Sequence, residues 1–598
     1  MAVRAPELTG RSWLGTGGRA LSLQDLRGRF VLLDFWTFCC INCLHVLDEL
    51  RPLEEAYADA LVVVGVHSPK FRHEADPEAL AQAVERYGIT HPVLDDAALT
   101  TWRSYAVRAW PTLVLVDPEG YVVAQLAGEG HALALGRILE EQVPLHEAGG
   151  TLRRGSGPYV PAEAPATELR FPGKLLALPG GDLLVSDSAR HSLVRLSPEL
   201  EVLQRLGSGV RGRRDSASTT VPEFAEPQGL CLLPPDVAAE VGYDVVVADT
   251  ANHLLRGLRL ADGRVTTVAG TGRQWMPAPD GSTAHDLSSP WDVAWWDDRV
   301  WVAMAGIHQL WTFDPRTGEA VAAAGTRNEG LVDGPAGRAW FAQPSGLAAA
   351  GDALLVADSE TSAVRRVVRT PEGYAVETLV GQGLFDFGHV DGPAAEALLQ
   401  HPLGVAADGD GVLVADTYNG AVRRWDSRSG SVSTVLDGLA EPSDVLPLGD
   451  GTALIVESSA HRVVRRSLSS STSVTGERSR TQRPPTDLAP GEVRLDVVFA
   501  PPPGQHLDER WGPSTRLHVS STPEALLRSG SGRGAELSRV LDLDPSVGDG
   551  VLHIAATAAS CDDEGGESAA CHVTQQDWGV PVRVTAGAAD VLRLPLLG

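Results

Sequence analysis

With 598 residues, 43% of them hydrophobic and 21% charged, the chain has the apolar content of a globular protein and the length of about four domain-sized units. Its formal net charge of −27 repels phosphate backbones and anionic lipid, which argues against nonspecific nucleic-acid binding and against anionic-membrane binding. Six cysteines are too few for a disulfide-built scaffold, and the longest apolar runs, such as Leu61 to Val66, suit a strand rather than a membrane span.

The start, Met1-Ala-Val-Arg-Ala-Pro6, runs into polar, glycine-rich sequence without the apolar stretch of a secretory leader, so the expected location is cytoplasmic. The first 150 residues then alternate strand and helix patterns. Phe30 to Phe35 reads as a buried strand, Leu44 to Tyr57 as a helix, Leu61 to His67 as a second strand and Pro77 to Tyr87 as a second helix. Thr112 to Asp117 and Tyr121 to Leu126 flank the turn Pro118-Glu-Gly120 and predict a hairpin. Such an alternation makes an α/β sheet.

At the first strand-to-helix junction stands Asp34-Phe-Trp-Thr-Phe-Cys-Cys-Ile-Asn-Cys43. A C-x-x-C there puts its first sulfur at a helix N-terminus, where unpaired N–H groups and the helix dipole favour a thiolate. Cys40 is therefore the candidate nucleophile, and Cys43, one turn on, the resolving thiol that attacks a mixed disulfide. Asp34 lies within an apolar strand, where a carboxylate is costly unless it has a role; taking the resolving cysteine's proton is one, a paired or solvated strand-end acid is the other. Ala109-Trp-Pro-Thr112 opens the next strand, and its proline suggests a cis bond facing the sulfurs.

After about residue 165 a unit recurs: an aromatic residue or leucine, a proline, a short apolar strand, then a second strand ending in Asp-Ser or Asp-Thr. It is read at Phe171-Pro, Phe224-Ala-Glu-Pro, Leu287-Ser-Ser-Pro, Phe341-Ala-Gln-Pro, Leu399-Gln-His-Pro and Leu439-Ala-Glu-Pro. Six copies at blade-like spacing predict one closed six-bladed β-propeller over 165–467, because a ring buries both faces of every blade. Asp187, Asp249, Asp358 and Asp416 recur at one blade position; a ring of metal ligands and a turn-holding side chain are the two readings, and recurrence itself favours the second. No metal and no cofactor is called for. Residues 468–490 have linker composition, and 491–598 read as a small all-β domain, sandwich-like. Cys561 and Cys571 flank the acidic loop Asp562 to Glu567; they form a disulfide across it or stand as free thiols, the default in a reducing compartment.

Residues 1–150 resemble the thioredoxin family, with Asp34, Trp36, Cys40, Cys43 and Pro111 matching its acid, tryptophan, cysteine pair and cis-proline. More closely, Phe35-Trp-Thr-Phe-Cys-Cys-Ile-Asn-Cys-Leu-His45 and Val64-Gly-Val-His-Ser-Pro-Lys-Phe71 look like the NHL-repeat-containing protein 2 family, as does the order of thioredoxin-like domain, NHL propeller and β-domain. The resemblance implies a Cys40–Cys43 disulfide and a substrate groove shaped by Trp36, Cys39, Trp110 and Pro111. Cys39 stands where thioredoxins carry tryptophan, and Ile41-Asn42 where they carry Gly-Pro. Two functions stay open: a thiol–disulfide oxidoreductase or redox-responsive protein that uses the propeller to dock a protein partner or protein disulfide substrate, and an interaction scaffold whose cysteines do not turn over.

Overall fold

The computed structural model describes residues 3–596 except 164, 217–220, 277–284, 469–473, 482–484, 502–503, 508–511 and 563–570. The N-terminal domain is built on a seven-stranded sheet. Its centre is β1 (Phe30–Trp36), parallel to β2 (Leu61–His67) and antiparallel to β3 (Thr112–Val116), which turns back as β4 (Tyr121–Ala127). Both β1 and β2 are buried along their whole length, which is why they read as continuous apolar runs. Helices α1 (Ile41–Ala56), α2 (Pro77–Arg86) and α3 (Ala132–Ala148) cover the sheet. α2 starts where Asp76 accepts the Glu78 N–H and Pro77 occupies the first turn.

The second region is a closed ring of six antiparallel sheets. Their first strands begin at Pro172, Pro227, Pro290, Pro344, Gly404 and Pro442; each packs on the next, and the sixth packs back on the first. The repeated Asp-Ser/Thr proves to be a two-part fastener. Asp249, Asp358 and Asp416 accept the backbone N–H of Ala225, Ala342 and Gln400 at 2.7–2.8 Å. The same carboxylates pair with Arg256, Arg365 and Arg423, all fully buried. The hydroxyls that follow cross to the next blade: Ser188, Thr250, Ser359 and Thr417 donate to the carbonyls of Pro227, Pro290, Pro402 and Pro442 at 2.6–2.8 Å. The recurring aspartates thus brace each blade from within, and the hydroxyls that follow them tie the ring together.

A second device repeats at the mouth of the ring. Phe171, Glu226, Ser289, Gln343, His401 and Glu441, each just before the repeated proline, have φ between 44° and 59°. Proline disfavours the α region for the residue before it, and the left-handed region costs a non-glycine residue about 1–2 kcal/mol. Hydrogen bonds offset that cost: the N–H groups of Phe171, Glu226, Ser289 and Gln343 donate to Nδ1 of His461, His191, His253 and His308 at 3.0–3.3 Å. Burial, first among the causes, pulls His191 down to about 4 and His253 to about 3, so these rings stay neutral acceptors. Their folded values lie below the unfolded one near 6.5. The stability they give is complete above pH 6.5 and is lost as pH falls toward 3–4. A Tm at pH 4.5 lower by about 5 °C or more than at pH 7 is therefore expected; an unchanged Tm would refute the assignment.

The C-terminal domain is a sandwich of a six-stranded and a four-stranded sheet closed over one core containing Val493, Leu517, Leu541, Ile554 and Leu594. Residues 475–480, inside the stretch read as a linker, pair as a strand with Asp386–Val390. An edge pairing needs backbone hydrogen bonds and little apolar surface, so composition does not reveal it. Cys561 is disulfide-bonded and stands opposite Cys571 in register. The side chain of Cys571 and the acidic loop from 563 lie outside the described residues.

Candidate functional site

α1 begins where the continuous apolar run of β1 gives way to the turn Thr37–Cys39, and Cys40 is its N-cap residue. Glu74, itself buried, shapes that turn: its carboxylate accepts from Thr37 Oγ1 at 2.5 Å and from the N–H groups of Cys39, Lys70 and Phe71 at 2.9 Å. One side chain so ties the cysteine loop to the segment after β2. Trp110–Pro111 is a cis bond, and the Trp110 indole donates to Ser68 O at 2.8 Å.

The three neighbouring sulfurs differ in chemistry. The Cys43 thiol donates to Cys40 and, with the Lys70 ammonium, draws Cys40 down to about 6 against its burial. Burial, then the bond to Cys40, pushes Cys43 well up. Burial, then Glu74, does the same to Cys39, whose sulfur lies 3.9 Å from Glu360 Oε1. One thiolate beside one protonated thiol is the division of labour that exchange requires. Asp34 is fully buried with neither oxygen hydrogen-bonded among the described residues, and burial raises it well above the carboxylate range.

The propeller mouth covers this face. Cys40 is only 6% exposed and Cys43 is 0% exposed. Gln343 grips the backbone on both sides of Cys40: its Oε1 accepts the Ile41 N–H at 2.8 Å and its Nε2 donates to Cys39 O at 2.7 Å. Lys70 donates to both oxygens of Glu360, at 2.9 and 3.1 Å, in a buried ion pair across the interface. His45 meets Ser289 Oγ at 2.7 Å, and Glu441 takes His73 at 2.7 Å together with Arg86. Phe71 packs edge-on against Phe387, His401 and Tyr418. Five of the six left-handed pre-proline residues (Phe171, whose ring lies 4.8 Å from the Arg86 guanidinium, with Ser289, Gln343, His401 and Glu441) thus bear directly on the cysteine domain. Removing the Gln343 amide unpairs two buried backbone groups, so Gln343→Ala should speed alkylation of Cys40 in the native chain by about tenfold; an unchanged rate would show that the grip does not shield the sulfur.

Trp110 and Pro111 line a cavity of about 510 Å³ where the three domains meet, with Asn42, His308, Glu329 and Trp578 among its other walls. Trp36 and Cys39 are not among the residues lining that cavity: Trp36 is fully buried beside β2, and Cys39 faces Glu360. Lys70, Glu74, Gln343, Glu360 and Glu441 belong to the site but escaped the sequence reading. The signal that could have found Gln343 and Glu441 is that the residue before the repeated proline changes from blade to blade while its surroundings stay constant. Among the described residues no group of three or more His, Cys, Asp or Glu side chains is arranged to hold a metal ion, and no helix is long and apolar enough to cross a membrane.

Residues 28–122 match the family described as thioredoxin-like. NHL repeat-containing protein 2 from Gallus gallus is 37% identical over 480 residues, covering 74% of this chain and 64% of its own. Protein SUPPRESSOR OF QUENCHING 1, chloroplastic, from Arabidopsis thaliana is 36% identical over 462 residues, 73% of this chain and 42% of its own. Protein DipZ from Mycobacterium bovis is 39% identical over 129 residues, 21% of this chain and 19% of its own. The chain thus spans about two thirds, or less, of the length of these relatives. An alignment over three quarters of the chain is longer than any one of its domains, and through it the chain is a relative of the NHL repeat-containing protein 2 family.

Proposed function

We propose that the chain is a thiol–disulfide oxidoreductase whose exchange site lies at Cys40 and Cys43 and is completed by the mouth of the propeller. The observation that carries this reading is the junction itself: Cys40 caps α1, the Cys43 thiol points at it, and the buried Lys70 ammonium stands close enough to favour the thiolate. Cys40 attacks the substrate disulfide, Cys43 resolves the mixed disulfide, and Asp34 takes the proton that Cys43 gives up. The substrate is a protein disulfide, and the cavity between the domains, walled by Asn42 of the cysteine motif with Trp110 and Pro111, is its approach. Neither nucleic acid nor lipid is a partner.

The alternative, a binding scaffold with idle cysteines, draws support from the burial of Cys40 under the propeller. Cys43→Ser decides between the two, since an enzyme lacking its resolving thiol accumulates a mixed disulfide at Cys40. Adducts through Cys40 that reductant releases support exchange. Recovery of the same partners without any adduct supports the scaffold.

A further inference from the structure

Where β1 and β2 pair at Asp34 and Gly65, the sheet carries a cluster of polar atoms that its own side chains do not satisfy. Both oxygens of Asp34, Nε1 of Trp36 and Nε2 of His91 are buried without a hydrogen-bond partner among the described residues. Two of them, Trp36 Nε1 and His91 Nε2, converge on Gly65 beside a methyl of Val93. A Cβ at that position would lie 2.9 Å from Trp36 Nε1 and 3.3 Å from His91 Nε2. Gly65 pairs in parallel register with Asp34, and neighbouring strands stand about 4.8 Å apart, so the Asp34 carboxyl borders the same space. Any side chain at position 65 would fill it. Leaving four buried polar atoms unpaired would cost about 1–3 kcal/mol each, whereas one ordered water can accept from Trp36 Nε1–H and donate to the Asp34 carboxyl and to His91 Nε2.

His91 also has a way out. Its Nδ1 lies 2.7 Å from Glu54 Oε1 on α1, and the Glu54 side chain is 22% exposed while that of His91 is 7% exposed. The other charges that bear on Asp34 come from α1: Glu54 and Glu49, the latter accepting the Gly130 N–H at 2.8 Å. His67, two residues beyond Gly65, packs against the rings of Trp36 and Phe38 and stays neutral, outside the route.

We infer that Gly65 marks a buried water site through which the Asp34 carboxyl exchanges protons with solvent by way of His91 and Glu54. This rests on the exchange chemistry proposed above and deepens it. When Cys43 attacks, its S–H proton passes to Asp34. The bond between Cys43 and Cys40 forms, the bond between Cys40 and the substrate sulfur breaks, and the substrate leaves as a thiolate. Asp34 then gives its proton to the water, which also accepts from Trp36 Nε1–H and donates to His91 Nε2. His91 releases its Nδ1 proton to Glu54, and Glu54 to solvent, which protonates the departing thiolate. His91 and Glu54 touch no reacting sulfur and are positioning residues of a proton exit.

Two measurements on the full chain test this. A high-resolution crystal structure should show an ordered water within about 3.2 Å of Asp34, Trp36 Nε1 and His91 Nε2; density showing none overturns the inference whether or not the cysteines turn over. In stopped flow, resolution of a Cys40 mixed disulfide with thionitrobenzoate should slow at least tenfold in His91→Phe and in Glu54→Gln, with an altered pH profile, while alkylation of Cys40 is unchanged. Glu54→Gln keeps a hydrogen-bonding group at the surface end and guards against a folding defect in the histidine variant. Resolution at the normal rate in both variants overturns the proton route. Failure of the native chain to release thionitrobenzoate counts against the oxidoreductase reading instead, and the water is then the deciding result.

Discussion

Lys70→Met is expected to raise the thiol pKa of Cys40 from about 6 and, in the same protein, to loosen the contact between cysteine domain and propeller. Lys70 is 4% exposed, and its ammonium serves two anions at once, the Glu360 carboxylate and the Cys40 thiolate. Removing one member of a buried ion pair leaves an uncompensated charge and costs about 3–5 kcal/mol. One pKa unit is tenfold in the thiolate population below the pKa, so alkylation of Cys40 should fall by about tenfold at pH 5 and by only about twofold at pH 7. The double variant Lys70→Met, Glu360→Leu separates the effects: an apolar pair of similar size restores much of the stability, but the thiolate stays lost. Alkylation rates across pH 5–9, with denaturant unfolding of the same samples, check both parts. A single variant that keeps its reactivity would mean that Lys70 only packs against Trp110, over whose ring it sits at 5.4 Å.

The larger loss of stability is expected from Arg423→Met. The guanidinium is fully buried in the fifth blade, donating to Asp416 Oδ2 at 2.8 Å and to the carbonyls of Leu398 and Val390 at 3.0–3.1 Å, with Asp391 as a second carboxylate partner. Without it two buried carboxylates face each other, at a cost of about 3–5 kcal/mol or more. Arg428→Ala makes the contrast: its bond to Asp410 lies at the surface, with side chains 82% and 67% exposed, and such pairs contribute about 0–1 kcal/mol. The sign of the pH effect is a further check. In Arg423→Met the Asp416 carboxyl, already raised by burial, rises further above its unfolded value, so the deficit should shrink as pH falls and Asp416 takes up a proton. Equal unfolding midpoints for the two arginine variants would refute the distinction.

The acid limb of the interface follows the same rule in the opposite sense. Arg86 and His73 hold Glu441 down to about 2 despite its burial. Its contribution is present above the unfolded value near 4.3 and disappears as pH falls through 2. Limited proteolysis between pH 5 and 2 should therefore find the cysteine domain detaching as the last of the charge is lost.

Much of this was legible in the sequence for physical reasons. Both faces of β1 and β2 are buried, so they had to be unbroken apolar runs, and the one carboxylate among them, Asp34, stood out. Blade fasteners repeat because each blade is braced in the same way, so Asp249, Asp358 and Asp416 could be read as structural from their spacing alone. What stayed hidden depends on contacts between residues far apart in the chain. Gln343 and Cys40 are joined by a docking surface that no local period encodes, and Glu360 differs from the hydroxyl-bearing residues around it only by chemistry. His91 carries no signal until Gly65 is seen beneath it. Trp36 was read as a groove residue from resemblance, yet it sits in the core, because β1 is sealed by β2 before the turn at Thr37 begins.

A redox titration of the full chain across a glutathione series, with mass spectrometric mapping of the paired sulfurs, bears most directly on the central claim that Cys40 and Cys43 are a working pair inside a site completed by the propeller. The expected result is a disulfide between Cys40 and Cys43 that forms and reverses near the poise of a glutathione buffer, with Cys39 and Cys231 remaining thiols. No such bond at any potential, or oxidation confined to Cys39, would contradict the claim and leave the chain a binding scaffold.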